Sequence, residues 1–509
     1  MPANSKAAAW VGRNVFLGKV LEMNENWLRL LLLGSFLFFL LFGVLLLLRK
    51  KRYPEKSWLN NAVNLMLNPI RWLKLGPYRN GDLSMANALK YAQKKTKLKE
   101  WDYPNPNCLE FAHAYQAILD TETQKRQRYT NLGYIAGRIE LNMTMVRRLK
   151  FVEYYKNVLA VREVPVLSPV FVMGLPRTGT TLLHRLLSLD TKRCRAPLLW
   201  ELLAAVPKPT GTPNMADPHT KDSQDHAKDR FNRSEFVRKL INTRKKMGDR
   251  ALEHIHEVGY DLPEECFLAL SDSVPCLLQY LYADYMNPET ALPILKGRMK
   301  DAYVWYKKYL QLLSFQIGEI DKPRAWMLKC PVHLFYPTEI AHAFPDAKLI
   351  WTHRHPISAV PSMCSLLKSI HQMYYENECR DDRALGQSIF KVSEDLLVEA
   401  PNDIKKSKLP CADVVYDTLI KDPLETVRKI YLQFGWDYTA EYDQKLKAHL
   451  EEDRQKRENM KEKKKREGKT KGEVLHTYTP EEFGLTPEGL SSGNYAEYIA
   501  AYKIPDFKP

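Results

Sequence analysis

Residues 170–187 read Val-Phe-Val-Met-Gly-Leu-Pro-Arg-Thr-Gly-Thr-Thr-Leu-Leu-His-Arg-Leu-Leu, and this stretch decides the fold. Its first four residues form a short apolar run between Pro169 and Gly174, which is typical of a buried parallel strand. From Thr180 onward, apolar residues recur at the spacing of a helix. The stretch therefore predicts a strand, a glycine-bounded loop and a helix, in that order.

The loop between Gly174 and Gly179 has the composition of a phosphate-binding loop. Glycines allow a tight turn, and the free N–H groups at a helix start bind anionic oxygen atoms. The nucleotide P-loop pattern G-x-x-x-x-G-K-[ST] is nearly matched, but Thr180 stands where the lysine belongs, followed by Thr181. Because the cation of this loop is Arg177 instead, the sequence favours a phosphate-like ligand without ATP hydrolysis.

Further strands and helices alternate along the chain. Apolar runs at 348–352 and 412–416 indicate two more buried strands. Helical patterns follow at 180–188, 338–344 and 424–434. We therefore expect an α/β fold, a P-loop-like parallel sheet flanked by helices.

Residues 177–181, Arg-Thr-Gly-Thr-Thr, resemble the 5′-phosphosulfate loop of sulfotransferases that use 3′-phosphoadenosine 5′-phosphosulfate (PAPS). Arg354 follows a predicted strand, and Ser362 lies eight residues later, which resembles the 3′-phosphate motif of that family. A guanidinium group suits phosphate geometry, and a serine in the following helix adds a second donor. The family has a P-loop-like α/β fold, in agreement with the pattern of strands.

The resemblance continues at separate places between about residues 165 and 490. Residues 326–334 resemble the family's Lys-Ser/Thr-Pro segment, with Cys330 in place of the hydroxyl residue. Residues 478–485 resemble the C-terminal segment of the large sulfotransferase group that includes bacterial members. By this resemblance, PAPS would be bound by Gly174, Arg177, Thr178, Gly179, Thr180, Thr181, Arg354, Ser362, Tyr416, Lys471 and Gly472.

The resemblance implies in-line transfer of a sulfuryl group from PAPS to a hydroxyl or amine acceptor. By its position in the loop, Arg177 would stabilise charge on the leaving oxygen, and Lys329 would be a second donor by resemblance. The general base is left open between Glu201, 24 residues after Arg177, and His333. His256 and Glu257 are outside candidates, and no metal is required.

Two other functions are compatible with parts of the sequence. A P-loop-type kinase or NTPase would need the loop lysine and a magnesium-binding aspartate after a strand. A catalytically inactive membrane scaffold could retain the fold alone. Binding of adenosine 3′,5′-bisphosphate would distinguish a sulfotransferase from these two alternatives.

Charge and cysteine content restrict the partners. The formal net charge of +16 favours an anionic ligand, a nucleic acid or a membrane surface. No zinc-finger or RNP-type motif accompanies the charge, so no nucleic acid is expected as a partner. None of the eight cysteines forms a Cys-x-x-Cys pair, which argues against structural zinc and leaves disulfides open.

The N-terminal part predicts a membrane anchor. Residues 30–48 carry no charge, and about 20 apolar residues suffice for a transmembrane helix. We expect an N-terminal tail (1–27), a single transmembrane helix (28–48), a helical stem (49–160) and the sulfotransferase domain (161–509) with a charged insertion near 450–471. The expected location is an endomembrane, Golgi or ER. Basic residues after the helix favour a cytosolic domain, whereas sequons at Asn142 and Asn232 favour a luminal one, so the side stays open.

The acceptor is not determined by the sequence. A small molecule, a carbohydrate or a lipid would fit, and residues 207–295 are expected to supply much of its pocket. Their aromatic and leucine-rich part suits an apolar acceptor or an ordinary core.

Overall fold

The computed structural model describes residues 58–73, 84–101, 129–214, 216–246, 259–273, 299–320, 323–376, 381–466 and 479–507. The chain forms two compact units, Met1–Arg79 and Asn80–Pro509. The first contributes one described helix, α1 (Trp58–Trp72). All other described elements belong to the second unit.

The second unit alternates strands with helices. Its strands are β1 (Val170–Gly174), β2 (Cys194–Arg195), β3 (Ala325–Lys329), β4 (Lys348–His353) and β5 (Cys411–Val415). Its helices are α2 (Met85–Thr96), α3 (Asn131–Asn157), α4 (Thr180–Ser188), α5 (Leu199–Leu203), α6 (Lys221–Lys246), α7 (Phe267–Ser273), α8 (Met299–Phe315), α9 (Pro337–Ala343), α10 (Pro356–Tyr374), α11 (Asp382–Ser407), α12 (Tyr416–Lys421), α13 (Pro423–Gln433), α14 (Ala440–Arg466) and α15 (Gly493–Ala501). Short 3₁₀ helices lie at Leu159–Glu163, Pro331–Phe335, Pro480–Phe483 and Gly489–Ser491.

The five strands form one sheet in the order β2-β3-β1-β4-β5, and every neighbouring pair is parallel. In β1, Phe171 and Met173 pack into one hydrophobic core, whereas Val170 and Val172 pack into the core on the opposite face. Successive side chains of a strand point to opposite faces, so both faces of this sheet are covered. The predicted α/β class with a parallel sheet flanked by helices is confirmed.

The registers bring four strand ends to the same edge of the sheet. Val172 of β1 pairs with Lys329 of β3, and Gly174 pairs with Thr352 of β4. β5 ends directly before Tyr416, the first residue of α12. In parallel sheets, the crevice beyond the carboxyl ends of the strands is the usual place for ligands. The loop after β1, Lys329, Arg354 and Tyr416, which the sequence predicts to be site residues, lie at this edge.

The N-terminal predictions have a different outcome. Residues 28–48 lie outside the described residues, and among the helices that the structure describes, none is long and apolar enough to cross a bilayer. α3, within the predicted stem, belongs to the second compact unit together with the sheet. The predicted domain boundary at residue 160 stays a prediction.

The predicted charged insertion near residues 450–471 overlaps α14, whose second half carries the run of basic and acidic residues. Residues 467–471 lie outside the described part of the chain.

Candidate functional site

The loop after β1 is fixed by contacts to β4. Gly174 has φ +152°, and a Cβ there would lie 2.4 Å from Thr352 Oγ1 and 2.6 Å from its carbonyl oxygen. The hydroxyl of Thr178 donates to the carbonyl of Leu175 at 2.7 Å and lies 2.6 Å from Thr352 Oγ1. The loop therefore approaches β4 more closely than any side chain at Gly174 would allow.

The loop ends at the first turn of α4. Gly179 is the N-cap with φ +88°, and no side chain caps the helix. The first N–H groups of a helix have no intrahelical partners and carry partial positive charge. Thr180, which is buried, and Thr181 add hydroxyl groups at this turn. This helix start is suited to an anionic oxygen cluster.

Arg177 joins the loop to the predicted 3′-phosphate residues. Its φ is +71°, an uncommon conformation for a residue with a Cβ, which costs about 1–2 kcal/mol. Its Nε donates to Ser362 Oγ at 3.3 Å, and its carbonyl oxygen accepts from Arg354 Nη1 at 2.9 Å. The structure thus brings together residues from the loop, α10 and the end of β4.

Tyr416 packs against Arg354. The Arg354 guanidinium carbon is 4.2 Å from the centre of the Tyr416 ring. A Cβ on Gly179 would lie 2.9 Å from Cδ2 of that ring. The tyrosine that follows β5 therefore packs close to both the loop glycine and the arginine, and the arginine adds cation–π attraction.

Lys329 ends β3 and is fully buried. Its Nζ donates to Glu265 Oε1 at 2.7 Å, and its carbonyl oxygen accepts from the Cys266 N–H at 3.0 Å. Burial lowers the pKa of Lys329, but the carboxylates of Glu265 and Glu264 outweigh it and raise this pKa above its ordinary value. The side chain is therefore a fixed ammonium group at the carboxyl edge.

His333 lies in the 3₁₀ helix after β3 and is fully buried. Its Nδ1 is 2.8 Å from the Tyr303 hydroxyl, and its ring meets the Phe171 ring edge-on at 4.9 Å. Nε2 has no hydrogen-bond partner among the described residues. Burial, and then the charge of Lys329, lower the pKa of His333 to about 3, so the imidazole is neutral at physiological pH.

Glu201 lies in the first turn of α5, and its side chain is only 5% exposed. One carboxylate oxygen pairs with Arg195, and the other accepts from the Leu198 N–H at 2.9 Å. The Arg195 guanidinium in turn lies 4.4 Å from the Trp326 ring centre. One oxygen thus caps the start of α5, and the other links it to β2.

Four other predicted residues, Lys471, Gly472, His256 and Glu257, lie outside the described residues. Within the described part of the chain, no group of three or more His, Cys, Asp or Glu residues could hold a metal ion. The described cysteines Cys194, Cys266, Cys330, Cys364 and Cys411 are free thiols.

The arrangement combines cationic side chains with a helix start, at one edge of a parallel sheet. Such a site stabilises negative charge at two positions, one beside α4 and one beside Arg354. Sequence reasoning missed Glu265, the carboxylate on Lys329. Its sequence signal is weak: two adjacent glutamates, Glu264 and Glu265, precede the buried Cys266, without periodicity.

A family model described as the sulfotransferase family matches residues 169–440. The omega-hydroxy-beta-dihydromenaquinone-9 sulfotransferases Stf3 of Mycobacterium bovis and Mycobacterium tuberculosis are each 24% identical over 302 residues. The match covers 55% of this chain and 66% of each relative, just under two thirds of their length.

Two solved structures share the fold. The sulfotransferase STF9 from Mycobacterium avium has a TM-score of 0.64 and 23% identity, covering 84% of this chain and 98% of that chain. The sulfotransferase STF1 from Mycobacterium tuberculosis H37Rv has a TM-score of 0.60 and 23% identity, covering 82% and 99%.

These relatives correct one prediction. They are mycobacterial proteins, and no described helix here could span a bilayer. The predicted location in the Golgi or ER is therefore wrong, whereas the predicted transmembrane helix at residues 28–48 lies outside the described residues.

Proposed function

The chain belongs to the sulfotransferase family, and from this premise we propose that it transfers a sulfuryl group from PAPS to a hydroxyl or amine of an acceptor molecule. The observation that carries the proposal is the contact of Arg177 with both Ser362 and Arg354. A residue of the predicted 5′-phosphosulfate loop thereby adjoins the predicted 3′-phosphate pair. A nucleotide with phosphate groups at both the 3′ and the 5′ position of its ribose fits this arrangement.

The 5′-phosphosulfate would lie at the start of α4, held by backbone N–H groups and by the hydroxyls of Thr180 and Thr181. Gly174 and Gly179 allow this close approach, and the buried Thr178 holds the loop against β4. Lys471 and Gly472 would close over the 3′-phosphate, as the family resemblance implies. No metal takes part in this proposal.

Arg177 and Lys329 would stabilise the charge that develops on the leaving oxygen. Fixed cations aimed at such an oxygen are the main electrostatic requirement of an in-line displacement. Arg354 and Ser362 would bind the 3′-phosphate, and Tyr416 would lie beside the adenine. Its ring is already packed against the Arg354 guanidinium in the structure.

The acceptor would be a small molecule, a carbohydrate or a lipid. The relatives Stf3 are named for a hydroxylated menaquinone, an apolar molecule with a hydroxyl group. Long-chain alcohols and hydroxylated quinones are therefore the first acceptors to test.

The proposal is tested by transfer of ³⁵S from labelled PAPS to hydroxylated acceptors. Arg177→Ala should lower turnover by about a hundredfold or more, because a preorganised donor to the leaving oxygen is lost. Arg428→Ala is the matched control, since it removes an arginine that pairs with Asp443 at 2.7 Å on the surface. Equal loss in both variants, or no loss in either, would contradict the proposal.

A further inference from the structure

We propose that Glu265 is the general base that accepts the proton of the acceptor hydroxyl, an inference that rests on the proposed function. Three observations on the described residues support it: the position of the carboxylate, an oxygen of it that accepts no hydrogen bond from them, and N–H donors of its partner that bind no acceptor among them.

The position of Glu265 is fixed from β3. Its Oε1 accepts from Lys329 Nζ at 2.7 Å, while the N–H of the next residue, Cys266, donates to the Lys329 carbonyl at 3.0 Å. Lys329 pairs with Val172, two residues before Gly174, where the loop begins. Glu265 therefore lies at the carboxyl edge of the sheet, next to the strand that carries the donor-binding loop.

Glu265 also lies within residues 207–295, which the sequence predicts to supply much of the acceptor pocket. α7 begins two residues later, at Phe267. If that prediction holds, the carboxylate lies where the acceptor segment meets the edge that would bind PAPS.

The two carboxylate oxygens of Glu265 differ in their partners. Oε1 binds Lys329, whereas Oε2 accepts no hydrogen bond from any described residue. The side chain is 23% exposed, compared with 5% for Glu201 and complete burial for His333. A base must come within hydrogen-bond reach of the proton that it removes, which favours the exposed carboxylate.

The partner of Glu265 has unused donors as well. An ammonium group carries three N–H donors. Lys329 is completely buried, yet within the described structure its Nζ donates only to Glu265. Buried donors without acceptors are costly, so the remaining N–H groups are suited to oxygen atoms of a ligand. Within this ion pair, Lys329 would therefore bind the leaving group, and Glu265 would bind the attacking hydroxyl.

The proposed step balances as follows. The acceptor oxygen attacks sulfur and forms the new O–S bond, while its proton passes to Glu265 Oε2. The S–O bond to the 5′-phosphate breaks, and its electron pair leaves with adenosine 3′,5′-bisphosphate. Arg177 and Lys329 stabilise that charge, and Glu265 later releases the proton to solvent.

The test compares Glu265→Gln with Glu441→Gln, the same change at an exposed glutamate that pairs with Lys192. Sulfuryl transfer is measured as kcat, and binding of adenosine 3′,5′-bisphosphate is measured by calorimetry. For Glu265→Gln we expect kcat to fall by about a hundredfold or more, as for loss of a general base. We also expect the Kd for the bisphosphate to stay within about threefold, because the base contacts the acceptor and not the nucleotide. Glu441→Gln should retain the native kcat.

A Glu265→Gln variant that retains kcat within about threefold would overturn the inference. Glu265→Asp protects the test against misfolding, because it keeps a carboxylate and should retain partial turnover. An aspartate variant that binds the bisphosphate but is as inactive as the glutamine variant would also overturn it. If the native protein neither binds the bisphosphate nor transfers sulfur, the proposed function itself fails, and the inference with it.

Discussion

At the scale of single residues, the loop between β1 and α4 requires a left-handed backbone at Gly179, next to the Tyr416 ring. We expect Gly179→Ala to destabilise the protein and to weaken binding of adenosine 3′,5′-bisphosphate. Its φ is +88°, and the added Cβ would meet the Tyr416 ring at 2.9 Å. Left-handed strain costs about 1–2 kcal/mol for a residue with a Cβ. Calorimetry and thermal unfolding measure both effects.

Gly435→Ala is the matched control for this prediction. Gly435 has φ +65°, and nothing lies within 4 Å of a Cβ there. It should lower Tm through backbone strain while leaving the affinity unchanged. Equal affinity in the Gly179 variant would mean that the position of Tyr416 does not matter for binding.

A second residue-scale prediction concerns acid stability. His184 is fully buried, and its Nε2 lies 3.0 Å from the Met327 carbonyl oxygen. Burial, and then the charge of Lys329, lower its pKa from 6.5 to about 3. Between these values, the unfolded chain binds a proton that the folded chain does not, so the free energy of unfolding falls as the pH is lowered. Near pH 5, His184→Gln should reduce this slope by about 1.4 kcal/mol per pH unit.

Urea unfolding at pH 7, 6 and 5 measures the slope. A variant with the same slope as the native protein would show that His184 is protonated in both states. A lower stability of the variant at pH 7 alone would not affect the comparison, because only the slope reports the proton.

At the scale of elements, α5 tests whether Glu201 is structural. Removing one partner of a buried ion pair costs about 3–5 kcal/mol, and the Glu201–Arg195 pair is at most 10% exposed. We therefore expect Glu201→Ala to lower Tm strongly, while turnover per folded molecule stays within about threefold. Glu441→Ala, which breaks the exposed pair with Lys192, should change Tm far less. A stable Glu201→Ala protein without turnover would instead favour Glu201 as the base.

Which elements were predictable follows from the pattern of their residues. β1, β4 and β5 are short apolar runs, and α4 spans Thr180–Ser188 as predicted. β2 has only two residues and is therefore too short for any pattern. The motif at residues 326–334 does not predict β3 as a strand, because an apolar run that ends in a lysine does not distinguish strand from helix.

The candidate site was also predictable only in part. The proximity of Arg177, Arg354 and Tyr416 was predictable in outline, because the carboxyl ends of parallel strands share one edge. The partners of Glu201 and His333 were not predictable. They depend on tertiary contacts, such as that between His333 and Tyr303, which lies 30 residues earlier in the chain. Glu265 was missed for the same reason.

At the scale of the whole molecule, the division after Arg79 leads to a prediction. The proposed donor-binding residues within the described structure all lie in the unit Asn80–Pro509. A chain beginning at Asn80 should therefore unfold cooperatively and bind adenosine 3′,5′-bisphosphate with the affinity of the full chain. Thermal unfolding and calorimetry test this, and a shortened chain that is folded but does not bind would contradict it.

The most direct test of the central claim is the affinity for the nucleotide alone, since no acceptor is needed. Calorimetry would compare adenosine 3′,5′-bisphosphate with ATP and with adenosine 5′-monophosphate, in the native protein and in Arg354→Ala. The account predicts that the native protein prefers the 3′,5′-bisphosphate by about 1–3 kcal/mol or more, as charge-assisted hydrogen bonds to the 3′-phosphate imply. Arg354→Ala should lose most of that preference. Native protein that binds ATP more tightly, or that does not distinguish the three nucleotides, would contradict the account.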